Sequence, residues 1–255
     1  MPVPGSKFYS AQILSRTDIS EDLWKIRVNP GGEFPFKAGQ YATLGVITPE
    51  KHIERAYSIV SAPHEEFMEF FIELVPQGAL TPLLYKAQVG DQITMRKSAK
   101  GAFTLNRSGK FTNHLLIATV TGIAPYVSYV RSLYREWKAG EFQGPHRLFV
   151  LEGASRPWEL GYSAELAKVA SEVPWLTHVC TISRPWEDAE WKGETGRVDE
   201  LVRKYSDMWN LKPEDTEVCL CGHPDMIENV KGIAKRHGWQ KDAVRAEAYF
   251  VPAKT

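Results

Sequence analysis

Short runs of alternating apolar and polar residues fill the first hundred positions, and Gly and Pro separate them. Such runs predict β-strands joined by turns. They are AQILSRTDI, LWKIRVNP, QYATLGVI, AYSIVSAP, EFFIELVP and DQITMRKS. Six strands with little helix between them favour an antiparallel β-barrel or sandwich. One short helix is predicted at LTPLLYKAQV, where Thr81 would cap the helix and Pro82 would take its first position.

After about residue 109 the pattern changes to apolar strands that alternate with amphipathic helices. The strands are HLLIATV, HRLFVLEGA, WLTHVCTIS, TEVCLCGH and VRAEAYF, and the helices lie in TGIAPYVSYVRSLYREW, SAELAKVASEV, VDELVRKYS and PDMIENVKGIAKRHGW. This alternation predicts a doubly wound α/β domain with a parallel sheet covered on both faces. We therefore predict two domains, residues 1–108 and 109–255, and no internal repeat.

Charge and cysteine content exclude several kinds of protein. The chain carries 31 Lys and Arg against 31 Asp and Glu, so no global field attracts nucleic acid or an anionic membrane. No apolar run reaches the length of a membrane span, and the first residues do not resemble a signal peptide. The three cysteines, Cys180, Cys219 and Cys221, favour reduced thiols in the cytoplasm. For Cys219 and Cys221, which form C-x-C without a second cysteine pair, buried strand thiols are predicted in preference to a metal site.

The carboxyl ends of the parallel strands are the predicted ligand site, because open α/β sheets bind their ligands there. Two of the turns begin with the pairs Ser155–Arg156 and Ser183–Arg184, and Arg197 follows in GRV. An Arg side chain presents a fork of donors that matches phosphate oxygens, and Ser adds a short donor. This pattern predicts binding of a phosphomonoester such as the 2′-phosphate of NADP, where an NAD site would place an acid.

Two further turns show dinucleotide-like features. TGIAP places Gly122 between a strand and a helix, but it lacks the three glycines of the usual dinucleotide fingerprint. CLCGHPDM places Cys221 at the tip of a strand, where a thiol can pack on a flat ring. We do not predict a nucleophilic role for Cys221, because no basic partner stands close to it in sequence.

The ordered set of motifs resembles the ferredoxin–NADP reductase family, most closely its bacterial ferredoxin/flavodoxin–NADP reductases. The motifs cover nearly the whole chain: FKAGQYATL, RAYS, VPQGALT, TGIAP, the two SR pairs, GRV, CGHPDM and AEAYF. The resemblance implies FAD in the N-terminal barrel, NADP(H) in the C-terminal domain, and hydride transfer between the two cofactors. It also implies exchange of single electrons with ferredoxin and/or flavodoxin.

The resemblance also implies which residues hold each cofactor. The implied FAD contacts are Arg55, Ala56, Tyr57, Ser58, Phe71, Ala79, Leu80, Thr81, Thr121, Tyr249 and Phe250. The implied NADP contacts are Ser155, Arg156, Ser183, Arg184, Arg197, Cys221, Gly222, His223 and Met226. The implied catalytic residues are Ser58, Cys221 and Glu247. Three departures from the family stand out: Val120 replaces a usual glycine, His223 replaces a usual Asn or small residue, and VPAKT extends past Phe250.

Two other functions are compatible with the sequence. A reductase component for an oxygenase or a haem protein would share the fold, although the chain lacks the four-cysteine motif of a fused iron–sulfur domain. A non-catalytic flavin-binding regulator is less consistent with a chain that lacks a C-terminal cysteine cluster. A basic group near the domain junction is a candidate docking surface for an acidic electron carrier. Its residues are Lys97, Lys100, Arg107 and Lys110. The alternative interpretation is a solvated charged surface. We expect a monomer.

Overall fold

The computed structural model describes residues 7–142 and 144–249, which form two compact units. The first unit comprises the chain up to Thr104 together with Val127–Ser132. The second comprises Leu105–Tyr126 and the chain from Leu133 onwards. The functional domain bounds 1–108 and 109–255 stay a prediction.

The first unit is built on a six-stranded antiparallel sheet, as predicted. Its strands are β1 (Phe8–Asp18), β2 (Leu23–Asn29), β3 (Tyr41–Ile47), β4 (His52–Ser58), β5 (Met68–Glu73) and β6 (Gln92–Arg96), in the order β4-β3-β6-β1-β2-β5. Just past β4, the backbone N–H of Val60 donates to the carbonyl of Glu69 in β5 at 2.9 Å. The two edges of the sheet are therefore hydrogen-bonded near this point, which closes the sheet towards a barrel.

Two details of the first unit differ from the sequence prediction. The strand predicted to run to Pro63 ends at Ser58, because the chain beyond it turns to hydrogen-bond other segments. The helix α1 (Thr81–Lys86) is not capped by Thr81, whose hydroxyl instead accepts from the Val75 N–H at 2.9 Å. The Thr81 hydroxyl therefore pairs with a backbone N–H of the preceding loop and not with one at the helix terminus.

The second unit is a doubly wound α/β fold, as predicted. Its strands are β7 (Asn113–Thr119), β8 (Arg147–Ala154), β9 (Leu176–Ile182), β10 (Glu194–Thr195), β11 (Thr216–Gly222) and β12 (Val244–Ala248), all parallel and in the order β10-β9-β8-β7-β11-β12. Its helices are α3 (Ser163–Glu172), α4 (Val198–Met208) and α5 (Pro224–Arg236), together with the two ends of α2 (Ala124–Lys138), whose middle part Val127–Ser132 is grouped with the first unit. The strand order reverses between β7 and β11. Strand β10 was not predicted, because a strand of two residues shows no periodicity.

Apolar packing explains why these helices cover the sheet. Val202 of α4 and Val230 of α5 share one buried cluster with Ile117, Leu151 and Leu220 of the central strands. Helix residues three and four positions apart fall on one face, so an amphipathic helix buries one stripe of side chains on a flat sheet. None of the helices in the described ranges has the length and apolar character that crossing a membrane requires.

Candidate functional site

The turns that follow β7 and β11 meet at the point where the sheet order reverses. A Cβ added to Gly122 would lie 2.2 Å from the Cys221 carbonyl oxygen, and one added to Gly222 would lie 2.1 Å from Thr119 Oγ1. Only glycine fits at both positions. The His223 N–H donates to Thr119 Oγ1 at 2.8 Å and fastens the two turns together. Parallel sheets bind ligands in the crevice at this kind of reversal.

Val120 begins the turn after β7 in a strained backbone conformation. Its φ of 45° lies in the left-handed region, which a β-branched residue adopts only at a cost in free energy. Glycine, the residue expected here from the family resemblance, adopts this backbone shape without strain. Thr121, the next residue, is buried in the same turn.

Cys221 and Glu247 lie opposite one another on β11 and β12. The Cys221 side chain is fully buried and hydrogen-bonds with the Tyr249 side chain. Burial, and to a smaller extent the Glu247 charge, raise the pKa of the Cys221 thiol well above its ordinary value. Cys221 is therefore a neutral thiol, which agrees with the prediction that it is not a nucleophile.

The ends of β8 and β9 carry the same pentapeptide, Ser-Arg-Pro-Trp-Glu, at residues 155–159 and 183–187. The expectation of no internal repeat was therefore wrong. In each copy a short 3₁₀ turn follows the Arg. The Arg184 N–H donates to the Ser155 carbonyl at 3.0 Å, so the copies lie side by side as the parallel strands do.

Carboxylates from both copies contact the arginines of this repeat. Arg156 Nε donates to Glu187, and Arg156 Nη1 lies 3.1 Å from Glu159 Oε1. Glu187 also lies 3.6 Å from Arg184 Nη1. The hydrogen bond from Arg156 lowers the pKa of Glu187, so this carboxylate is ionised at neutral pH. Glu159 Oε2 additionally accepts the Ser155 N–H at 2.8 Å, which shapes the turn.

Arg197 completes the set of arginines predicted for phosphate binding. It lies at the start of α4, just after β10, with its side chain 53% exposed and its Nε 3.2 Å from Asp199 Oδ1. β10 pairs with β9, and β9 pairs with β8. The structure therefore places Arg156, Arg184 and Arg197 just after the carboxyl ends of three adjacent strands.

Four residues at these strand ends were not predicted from the sequence as part of the site: Trp158, Glu159, Trp186 and Glu187. The two tryptophans are 45% and 75% exposed. Exposed flat rings beside arginines suit a base next to a phosphate. The repeated pentapeptide was the signal that would have found all four. Thr119 at the turn after β7 was also missed, because a Thr at a strand end is not distinctive by itself.

In the first unit, β4 ends in the predicted flavin motif, residues 55–58. Arg55 is exposed, and within the described part of the chain its guanidinium donates only to the Glu54 carbonyl, at 2.7 Å. Burial raises the pKa of Tyr57, and its hydroxyl has no hydrogen-bond partner among the described residues. Arg55 and Tyr57 share one face of the strand. A guanidinium with open donors and an unsatisfied phenol fit a bound group that has both a diphosphate and a flat ring, as FAD has.

The remaining predicted FAD contacts vary in exposure. Ser58, Phe71 and Leu80 are buried, whereas Ala56 and Ala79 are exposed. The Phe71 ring has Lys25 Nζ 5.8 Å from its centre. Phe250 lies outside the described residues. These contacts stay predictions.

Two further predictions meet a less favourable environment. Met226, a predicted NADP contact, is buried in the apolar core of the second unit. Within the predicted basic group, Arg107 is paired with Glu136 at 2.6 Å, and Lys110 lies 4.8 Å from the centre of the Phe111 ring. Part of that positive charge is therefore already compensated. Both assignments stay predictions.

Comparisons with known proteins agree with this geometry. Residues 10–104 match the model of the oxidoreductase FAD-binding domain, and residues 116–232 match that of the oxidoreductase NAD-binding domain. Ferredoxin–NADP reductase A of Sorangium cellulosum is 27% identical over 94% of this chain and 86% of its own length. The propane 2-monooxygenase reductase component of Mycolicibacterium goodii is 28% identical over 94% of this chain and 67% of its own.

A solved structure extends the likeness to three dimensions. It is a ferredoxin NADP⁺ reductase from Neisseria gonorrhoeae with bound FAD and NADP. It superimposes with a TM-score of 0.83 at 26% identity, and the match covers 96% of this chain and all of that one. The agreement therefore extends over both units of the chain.

Proposed function

The chain belongs to the ferredoxin–NADP reductase family, and from that premise we propose that it is a flavoprotein oxidoreductase. It transfers hydride between NADP(H) and FAD, and single electrons between FAD and a ferredoxin or flavodoxin. FAD, when bound, supplies the conversion between two-electron and one-electron chemistry. The observation that carries the proposal is the row of three arginines after β8, β9 and β10, at the carboxyl ends of the strands, where parallel sheets bind ligands.

On the flavin side, the protein residues bind and orient the cofactor. The exposed guanidinium of Arg55 binds the diphosphate, for which its open donors are suited. Tyr57 covers one face of the ring, and its hydroxyl bonds the cofactor. Ser58 would hydrogen-bond near the nitrogen that accepts hydride, and Phe250 is assigned to the other ring face from the family resemblance alone. The supporting contacts come from Ala56, Phe71, Ala79, Leu80, Thr81, Thr121 and Tyr249.

On the nucleotide side, the arginines bind the 2′-phosphate, with Ser155 and Ser183 as additional donors. Cys221 packs its neutral thiol against the nicotinamide and excludes water there. Glu247, opposite Cys221 in the sheet, places a carboxylate beside the reacting rings. Gly222 and His223 line the approach of the nicotinamide, and the buried Met226 supports them from the apolar core.

An anaerobic titration of the purified yellow protein tests the proposal. Oxidised flavin absorption should bleach with one equivalent of NADPH, and NADH should require a much higher concentration. The reduced enzyme should then pass electrons to added ferredoxin or flavodoxin. A protein that neither purifies with FAD nor binds added FAD would refute the proposal.

A second candidate function is an NAD(P)H-dependent reductase component for an oxygenase or a haem protein. The carboxylates that already contact Arg156 favour it, because they oppose a phosphate dianion. The same titration distinguishes the two functions. A preference for NADH, together with slow reduction of ferredoxin and flavodoxin, would support the second.

The partner and the location are also part of the proposal. We infer a cytoplasmic enzyme that acts as a monomer, with an acidic electron carrier as its protein partner. The three thiols, none of them in a disulfide, support the reducing compartment. Neither nucleic acid nor a membrane surface is proposed as a partner, because the net charge is zero.

A further inference from the structure

Three side chains that bind metals in other proteins meet on one face of the parallel sheet. Glu152 lies on β8, and Cys180 lies opposite it on β9. His178 stands two residues before Cys180, and residues two apart on a strand share a face. Glu152 Oε2, His178 Nε2 and Cys180 Sγ all lie within 4.8 Å of one another. None of the three belongs to the cofactor site proposed above.

The Glu152 carboxylate is buried and only partly satisfied. Its exposure is 0%, and its Oε2 lies 2.9 Å from His178 Nε2. Its other oxygen, Oε1, finds no hydrogen-bond partner in the part of the chain that the structure describes. A buried carboxylate oxygen without a partner is unfavourable. A hydrogen-bonded triad of these three residues leaves that oxygen unsatisfied. A cation held by both carboxylate oxygens, or held by Oε2 with its bound water donating to Oε1, would satisfy the buried acid.

The distances between the ligand atoms lie within about 0.5 Å of those around a tetrahedral Zn²⁺ ion. Zn–N and Zn–O bonds of about 2.0–2.1 Å and Zn–S bonds of about 2.3 Å place neighbouring ligand atoms about 3.3–3.6 Å apart. The observed separations are 2.9 Å from Glu152 to His178, 3.3 Å from His178 to Cys180, and 3.7 Å from Glu152 to Cys180. Shifts of a few tenths of an ångström would complete the geometry.

We propose that Glu152, His178 and Cys180 form a Zn²⁺ site. Thiolate, imidazole and carboxylate together suit zinc better than the hard cations magnesium and calcium, which prefer oxygen ligands alone. Three protein ligands leave a fourth position for water, and Cys180 is only partly buried. The bound ion joins β8 to β9 just before the two pentapeptide repeats, and it stabilises the folded state.

The test uses the FAD-loaded protein after treatment with a chelator. Equilibrium dialysis against Zn²⁺ should give one tightly bound ion per chain, and the ion should raise the melting temperature. Co²⁺ should give the absorption bands of a tetrahedral site, with a thiolate-to-cobalt charge-transfer band in the difference spectrum.

Matched variants locate the site. Cys180→Ser should remove the charge-transfer band, whereas Cys219→Ser, which alters another strand thiol, should retain it. Glu152→Gln should weaken Zn²⁺ binding at least tenfold, so the result does not depend on one variant that folds poorly. Failure of the wild-type protein to retain any Zn²⁺ at micromolar concentration would overturn the proposal. Unchanged uptake in both Cys180→Ser and Glu152→Gln would do the same.

Discussion

Arg156, at the end of β8, donates a hydrogen bond to the carboxylate of Glu187, which belongs to the matching pentapeptide after β9. The same carboxylate lies 3.6 Å from Arg184 Nη1. One acid therefore contacts two of the three arginines that we propose to bind the phosphate of NADP(H). A phosphomonoester carries nearly two negative charges at neutral pH, so it has to compete with Glu187 for both guanidinium groups.

The first prediction is that Glu187→Gln lowers the KM for NADPH by about 2- to 5-fold, the modest effect expected of a partly exposed ion pair. Removing the charge releases both guanidinium groups from Glu187 while keeping the shape of the side chain, and Arg156 retains its ion pair with Glu159. The KM for NADH should hardly change, and steady-state kinetics measures both values. Glu190→Gln, in the same exposed loop, is the control. A higher KM for NADPH in Glu187→Gln would mean that Glu187 holds Arg156 in its binding position.

The second prediction concerns the arginines themselves. Arg156→Ala and Arg184→Ala should each raise the KM for NADPH by about 10-fold or more, because each removes charge-assisted hydrogen bonds to the phosphate. NADH lacks that phosphate, so its KM should change little. Arg203→Ala, which removes an exposed charge from α4, is the control. Equal losses with NADPH and NADH would contradict the assignment of these arginines to the 2′-phosphate.

The arginines could be predicted from the sequence, but their acidic partners could not. Each Arg follows a recognisable strand, and strand ends are where parallel sheets bind ligands. Glu187 stands 31 residues from Arg156. Only the parallel pairing of β8 with β9 brings the two together, and no local pattern reveals that register. The same reason hid the cluster of Glu152, His178 and Cys180, which also spans these two strands.

Element types were predictable wherever periodicity was long. Buried parallel strands such as β7 and β11 read as continuous apolar runs, and α4 and α5 carry clear apolar stripes. Short features were not predictable in this way. Strand β10 has only two residues, too few to show a period. The Thr81 hydroxyl could pair with the backbone of the helix terminus or with that of the preceding loop, and the sequence does not rank these two partners.

The third prediction is that Val120→Gly raises the free energy of unfolding by about 1 kcal/mol. Relief of a strained left-handed conformation is worth roughly 1–3 kcal/mol, from which the lost packing of a half-buried Val and the greater chain entropy of Gly have to be subtracted. Denaturant unfolding measures the difference. Asn210, the other described non-glycine residue with positive φ, has φ of 52°, and Asn tolerates that region well. Asn210→Gly should therefore give a smaller gain, and a clear loss of stability in Val120→Gly would contradict the strain argument.

The fourth prediction concerns pH and a buried pair of histidines in the second unit. His146 Nδ1 lies 3.1 Å from His114 Nε2, and His146 Nε2 lies 3.0 Å from the Arg107 carbonyl. Burial, followed by the nearby His114, lowers the pKa of His146 below its ordinary value of 6.5. The unfolded chain therefore takes up a proton at a higher pH than the folded chain does, and stability falls as the pH drops below about 6.5.

Replacing the titrating group should remove its share of this pH dependence. In His146→Gln, the slope of unfolding free energy against pH between 7 and 5 should fall by up to about 1.4 kcal/mol per pH unit, the limit for one proton. Denaturant unfolding at several pH values measures the slope, and His64→Gln at an exposed position is the control. The sign is decisive, because a His stabilised by its charge would make the protein more stable in acid. A slope in His146→Gln that equals the wild-type slope would show that other groups carry the acid sensitivity.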